Sequence, residues 1–405
     1  MLFSVKSGYK DIVKMLLEKM PAVNRPQFNF IIEIFGLFLS IKGRMNFLQF
    51  ERYGKRCEQS YRTGFSKAFD FLSFNQNLFE HQAGKRRMIA FDPSFVRKSG
   101  KHTPGVGYFW SGVSGAAKWG LEIAGIAAVD LNTRTAYHLE AIQTPSDNLG
   151  NDTLVTHYSK LLVDRKEELL STSKYIVADA YFSKYGFVSA LTENGFEVIS
   201  RLRDDADLLY LFTETQTGGR GRPKKYAGKV GYDDLKEGYF TSTKIDAFNT
   251  SFHGIVYSKS LKRKIKLVRV LTQKKTKQTH KLYFTTDLNM QAEDVLENYS
   301  ARFQIEFLFR DAKQHAGLDH CQARDSEKLH FHWNAALTSV NLAKAAHWSN
   351  MVGGEKEPFS MGDVKTLYNN KLLLDRFLYK FGIRPDKPKN KKKIRELLHY
   401  GARAA

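Results

Sequence analysis

"YSARFQIEFLFRDAK", residues 299–313, sets one glutamate among rings and cations in a run with helical periodicity. At about 100° per residue, Tyr299, Arg302, Glu306, Arg310 and Lys313 fall within an arc of about 80°, while Ala301, Ile305, Leu308, Phe309 and Ala312 fall on the other side. The run predicts a helix that packs by one face and presents a carboxylate flanked by cations on another. Ordinary i,i+4 ion pairs, Arg302 to Glu306 and Glu306 to Arg310, account for such a stripe on a solvated surface. The other account needs further acids to join Glu306 from elsewhere in the chain.

Two apolar runs upstream each deliver one. "MIAFD" ends at Asp92 and "YIVAD" ends at Asp179. Between residues 86 and 205, "RRMIAFD", "GLEIAGIAAVD" and "RTAYHLEAI" read as three strands separated by turns. A helix over 153–170, the strand "KYIVADAYF", a helix over 184–194 and the strand "FEVISRL" follow. Three strands and then α-β-α-β make a mixed α/β sheet with helical cover, the order of a ribonuclease H-like core. In such a sheet the two runs are interior strands whose neighbouring ends bring Asp92 and Asp179 close enough to share a cation. Phosphodiester chemistry uses carboxylates in this way, because oxygen ligands hold Mg²⁺ and two ions about 3.5–4 Å apart serve both the attacking and the leaving oxygen. Either Asp alone is also what a turn or a helix cap requires; with Glu306 on a following helix they form a candidate triad.

The flanks carry the charge. The chain has 405 residues, 42% hydrophobic and 26% charged, ordinary for a globular protein, but 63 Lys plus Arg face 42 Asp plus Glu, a formal charge of +21. That excess favours a polyanion as partner, nucleic acid ahead of a membrane surface. Residues 1–85 read as helical: Pro26 starts a buried helix over "FNFIIEIFGLFLSI", which is too short for a membrane span and contains Glu33. After it come a short helix, a break at Gly54, and a helix with Tyr61, Phe65, Phe69 and Leu72 at helical spacing. Two readings suit them: a helix-turn-helix with Lys55, Arg56, Arg62 and Lys67 facing DNA, or a helical bundle with a basic surface. Residues 206–285 read as a β-rich basic insertion. "GGRGRPKK" supplies Arg220, Arg222, Lys224 and Lys225 as phosphate contacts, and "SKSLKRKIK" and "KKTKQTHK" add to that surface. Residues 286–350 return to helix, with "NAALTSVNLAKAAHW" an amphipathic core helix, and 351–405 form a helical and basic tail in which "RPDKPKNKKKIRE" is expected to be mobile.

In its acids and their order the chain resembles the DDE transposases of the insertion-sequence-four type. Their signature is Tyr, two residues, Arg, three residues, Glu, six residues, Lys, and Tyr299, Arg302, Glu306 and Lys313 stand at those spacings. The order agrees as well: a first Asp in "FDPSFVRKSG", a second in "VADAYFSK", a β-rich insertion and then the Glu helix. The resemblance implies that Asp92, Asp179 and Glu306 bind the catalytic metals, Mg²⁺ with Mn²⁺ able to substitute. It implies that Tyr299, Arg302 and Lys313 hold transposon-end DNA near the cleaved phosphate, a setting in which the neighbouring Arg310 is a further DNA contact. It further implies nicking and strand transfer on double-stranded DNA through a hairpin, with a homodimer in the synaptic complex. Pro93, directly after the first Asp, departs from many relatives.

Other chemistries lack support. Cys57 and Cys321 are the only cysteines, which excludes a disulfide framework and suits the reducing cytoplasm. His315, His320, Cys321, His330 and His332 lack the compact paired spacing of a zinc site, and "GVGYFWSGVSG" does not continue into the Lys-Ser/Thr of a P-loop.

Overall fold

The computed structural model describes residues 8–146, 153–216, 222–274, 277–349 and 358–402. Helices α1 (Gly8–Glu18), α2 (Arg25–Ser40), α3 (Phe47–Tyr53), α4 (Glu58–Phe65) and α5 (Phe71–Gln82) precede the first strand. Local sequence explains their limits. Asn24 caps α2 by accepting from Gln27 N at 3.0 Å, with Pro26 in the first turn. Gly54 ends α3, where a Cβ would lie 1.8 Å from the Tyr61 hydroxyl as that ring returns to donate to Glu33 at 2.6 Å. The expected helix through Phe69 and Leu72 is shorter: Asp70 accepts from Ser73 N at 2.9 Å and starts α5 afresh, so Tyr61 and Phe65 lie on α4 while Leu72 belongs to α5.

The sheet is larger than its sequence suggests. Strands β1 (Arg87–Arg97), β2 (Gly107–Ser111), β3 (Ala116–Asp130) and β4 (Thr135–Gln143) come first, then α6 (Leu154–Val163), α7 (Lys166–Thr172), β5 (Tyr175–Val177), α8 (Tyr185–Glu193) and β6 (Glu197–Leu202). The glycine-rich "GVGYFWSGVSG" lacks a strand signal of its own, yet it supplies β2, which forms a hairpin with β3. The helix expected over 153–170 is two helices. Asp92 does not end its strand: β1 runs on to Arg97, paired antiparallel with β3 so that Asp92 faces Gly125. Its parallel pairing with β5 stops at Ala90, and Pro93 therefore falls where β1 has lost that neighbour and a missing N–H is tolerated.

β7 (Leu208–Leu211), β8 (Tyr226–Lys229), β9 (Thr241–Lys244), β10 (Asn249–Ser258), β11 (Arg263–Lys274) and β12 (Lys277–Thr285) continue the same sheet. β12 pairs antiparallel with β6, giving the order β2-β3-β1-β5-β6-β12-β11-β10-β7-β8, with β4 on β3 and β9 on β10. Among the described strands the parallel neighbours are β1 with β5 and β5 with β6.

Alternation sorts the side chains to two faces. Ile89, Phe91, Ala124 and Ile126 join a core with α6 and α8; Met88, Ala90, Val96, Leu121 and Ile123 join another with α1, α2 and the helices that follow the sheet. Those are α9 (Ala292–Ala301), α10 (Gln304–His315), α11 (Ser326–Ser349), α12 (Met361–Lys380) and α13 (Pro388–Leu398). The amphipathic reading of α11 is corrected: Phe331 through Ala346 are buried on every side. Two asparagines seven residues apart make that possible. Asn334 exchanges hydrogen bonds with the Ala141 backbone at 2.9 and 2.9 Å, and Asn341 with that of His138 at 2.9 and 2.8 Å, so they complete the outer edge of β4. The tail expected to be mobile is also corrected. Pro388 opens α13, Ile394 and Leu398 form its buried stripe, and Asn370 of α12 donates to Leu398 O at 2.9 Å.

Candidate active site

Residues 299–313 are not one helix. α9 ends at Ala301, α10 starts at Gln304, and Arg302 and Phe303 form a tight turn between them in which Arg302 N donates to Tyr299 O at 3.2 Å. The break moves Glu306 into the first turn of α10, where the helix dipole favours a carboxylate. It also turns Arg302 inward, leaving it 6% exposed.

Arg302 gathers the acids. Its Nη2 donates to Glu306 at 3.0 Å and its Nη1 lies 3.6 Å from Asp92, while its Nε has no hydrogen-bond partner. Burial pushes the Asp92 carboxyl up to about 7; the Arg302 charge opposes this, and the charges of Asp179, Glu306 and Glu122 add to it. Asp179 follows β5, accepts from Tyr181 N at 2.9 Å, and is held from behind by Ser200, whose hydroxyl donates to the Asp179 carbonyl at 2.8 Å. The three predicted acids thus act on one locality at the carboxyl side of the parallel strands β1 and β5, the usual position for sites on such sheets.

Gly125 lets α10 come down onto the sheet beside Asp92. A Cβ there would stand 2.4 Å from the Phe309 ring and 3.3 Å from Asp92 O. Lys313 completes the attachment: its ammonium donates to Ser94 Oγ at 3.0 Å and Phe95 O at 2.7 Å, tying α10 to β1 just past Asp92. Tyr299 packs on Tyr283 at 4.9 Å between ring centres. Arg310 does not pair with Glu306 as the stripe suggested. It lies 3.3 Å from Asp311 and over the Phe307 ring, while the Glu306 carboxylate is taken by Arg302.

The other predicted contacts lie apart from the acids. Lys55 is exposed at the α3–α4 turn; Arg56 pairs with Glu33 at 2.8 Å, and Arg62 donates to Glu58 at 2.9 Å and covers the Phe47 ring. Arg222, Lys224 and Lys225 are exposed before β8, seven strands from β1 and so roughly 30 Å away across the sheet; Arg220 lies outside the described residues. His320 accepts from Met45 N at 3.1 Å and His332 bonds Gly317 O at 2.8 Å, so both serve packing. Sequence reasoning passes over the exposed rings beside the acids, Tyr181, Phe303 and Phe307. Each neighbours a motif residue, which is their only signal.

Among the described residues no His, Cys, Asp and Glu side chains are drawn together as a closed metal-ligand group; Arg302 stands between Asp92 and Glu306. In type, though not in closure, three carboxylates fit a hard divalent cation. No helix is long and apolar enough to cross a membrane among the described residues.

A mixed sheet with three parallel strands, helices on both faces and acids on β1, after β5 and on a late helix defines a ribonuclease H-like enzyme core. Residues 83–342 match the family described as the transposase DDE domain, and the chain belongs to that family. Comparison with curated proteins finds no match.

Proposed function

We propose that this transposase nicks double-stranded DNA at the ends of its own insertion element and joins the freed 3′-OH to target DNA, in the cut-and-paste, hairpin-forming manner of the insertion-sequence-four type. The observation that carries the reading is the single guanidinium of Arg302 reaching Asp92 and Glu306, with Asp179 acting on the same carboxyl. Acids from distant stretches of chain are drawn to one place around a buried cation. Asp92, Asp179 and Glu306 would hold Mg²⁺ or Mn²⁺, which when bound activates a water or 3′-OH and stabilises the leaving oxygen.

The chain's own residues do the rest. Arg302, released from the acids, offers a fork matched to a phosphate. Lys313 holds β1 against α10, so that Asp92 and Glu306 keep their spacing, and Tyr299 backs the turn that carries Arg302. The helical region 1–85, with Lys55, Arg56 and Arg62, reads the element's ends; Arg222, Lys224 and Lys225 hold the phosphate backbone farther away, Arg220 joins them in that role, and two copies pair the ends in the synaptic dimer.

The test is nicking of end-containing duplex with added Mg²⁺, scored beside a gel shift. Glu306→Gln keeps shape and removes charge, so nicking falls roughly a thousandfold, about 4 kcal/mol in barrier, while the shift persists. Unchanged nicking would return Glu306 to a solvated stripe. A pre-cut end that is never joined to target would mark an endonuclease without strand transfer.

A further inference from the structure

The β2–β3 hairpin carries an aromatic face that the acids and their cations do not employ. Tyr108, Trp110 and Trp119 are 74%, 64% and 41% exposed, and Tyr108 meets Trp119 edge-on at 5.4 Å. Burying even one such ring is favourable, so three standing together on a rigid hairpin want a partner. The register places them. Tyr108 faces Trp119 across the hairpin, and Trp110 faces Ala117. Opposed residues of an antiparallel pair share a face and alternate residues along a strand share it too. From Asp92 opposite Gly125, the series Ile123, Leu121, Trp119 stays on the side of Asp92. The rings therefore stand on the active-site face of the sheet, six residues beyond Gly125, about 20 Å along β3. The hairpin's other face is packed, with Phe109 buried and Gly107 so close to Ser146 that a Cβ would lie 2.5 Å from that side chain.

Charge chooses the occupant. Between Asp92 and Glu122 the chain has no acid; Arg97 pairs with Asp319 and Lys98 donates to Cys321 O and Ala323 O, while Lys101, His102 and Lys118 are exposed. An apolar protein surface has no use for these cations; a polyanion with flat apolar faces uses both them and the rings. Nucleic-acid bases are such faces, available for stacking only where they are unpaired.

We infer that Tyr108, Trp110 and Trp119 form a stacking platform for unpaired bases of the DNA strand that passes over Asp92, about six nucleotides from the cleaved phosphate at 3.4 Å per nucleotide. The inference rests on the transposase reading and adds a second contact that prefers unpaired over paired DNA. The platform holds the strand by sequence-independent stacking, while the basic stretch around it neutralises phosphates.

The experiment uses the full chain in EDTA, so that cleavage does not intervene, and measures anisotropy with labelled oligo-dT, a duplex bearing an unpaired bubble and the fully paired duplex. Replacing Tyr108, Trp110 and Trp119 together by Ala should weaken oligo-dT and bubble binding about ten- to a hundredfold and leave paired-duplex binding within about twofold. Replacing all three by Phe should restore most of the affinity, and quenching of intrinsic fluorescence by oligo-dT should vanish with Trp110→Phe and Trp119→Phe. The rings are exposed, so the melting temperature should not move. Unaltered oligo-dT affinity in the Ala variant, or an equal loss on paired duplex, overturns the platform while leaving the transposase reading standing. A change from dimer to monomer with DNA affinity intact overturns it in favour of an interface between copies. If the parent chain binds none of the three DNAs, both readings fall together.

Discussion

Arg302 and Lys313 beside β1, and Arg222, Lys224 and Lys225 before β8, are the same residue types in opposite surroundings. The first two are largely buried and direct their hydrogen bonds and charge to Asp92, Glu306, Ser94 and Phe95. The other three are exposed, and the Lys224 ammonium lies over the Phe212 ring. A buried cation determines the charge of its neighbours and is needed for the fold. An exposed one does little until a polyanion arrives and counterions are released.

Removing Arg302 should have the largest effect. Arg302→Met leaves Asp92 without its cation in a buried place and should lower stability by roughly 3 kcal/mol at pH 8, read by urea denaturation. Asp92 supplies a check. Its carboxyl is raised, so the folded state binds a proton that the unfolded state does not between the ordinary carboxylate range and about 7; this group's contribution to stability is present at low pH and lost as pH rises through about 7. At pH 5.5 the carboxyl is neutral, and the cost of Arg302→Met should shrink. A loss that does not vary with pH would show that Arg302 acts by packing alone.

A second lysine extends the contrast. Lys365 of α12 is buried and donates to Phe38 O at 2.8 Å and also to His315 O. Burial lowers it to about 7 from an ordinary 10.5. The unfolded chain then holds one more proton over that window, so stability rises with pH from about 7 to about 10.5 and is lost as pH falls through 7. Lys365→Met should remove about 1.4 kcal/mol per pH unit from that slope. Equal slopes in the two proteins would mean that the buried ammonium stays charged.

The smallest effect on folding belongs to the far end of the sheet. Replacing Arg222, Lys224 and Lys225 by Gln should change stability by less than about 0.5 kcal/mol, yet reduce the slope of log affinity for duplex against log salt by about 0.9 for each phosphate that is no longer neutralised. An unchanged slope would remove them from the DNA surface.

Local chemistry along the chain is enough to specify the strands that carry the acids, Pro26 and Gly54 as helix limits, and the candidate residues Asp92, Asp179 and Glu306, because apolar period and turn residues act over a few positions. Long-range contacts decide the rest. The break at Arg302 and Phe303 places Glu306 in a first turn and brings Arg302 to Asp92 and Glu306, although residues 299–313 read locally as one helix. Burial of α11 on every side depends on Asn334 and Asn341 meeting the edge of β4, some two hundred residues earlier. The union of β12 with β6 is likewise a matter of register between distant segments. The aromatic run at 107–111 has no clear period against its glycines, and only pairing with β3 turns Tyr108 and Trp110 to the side of Asp92. Side-chain direction in a strand alternates every residue, so the face a residue occupies is decided by register, and register is set by the partner strand.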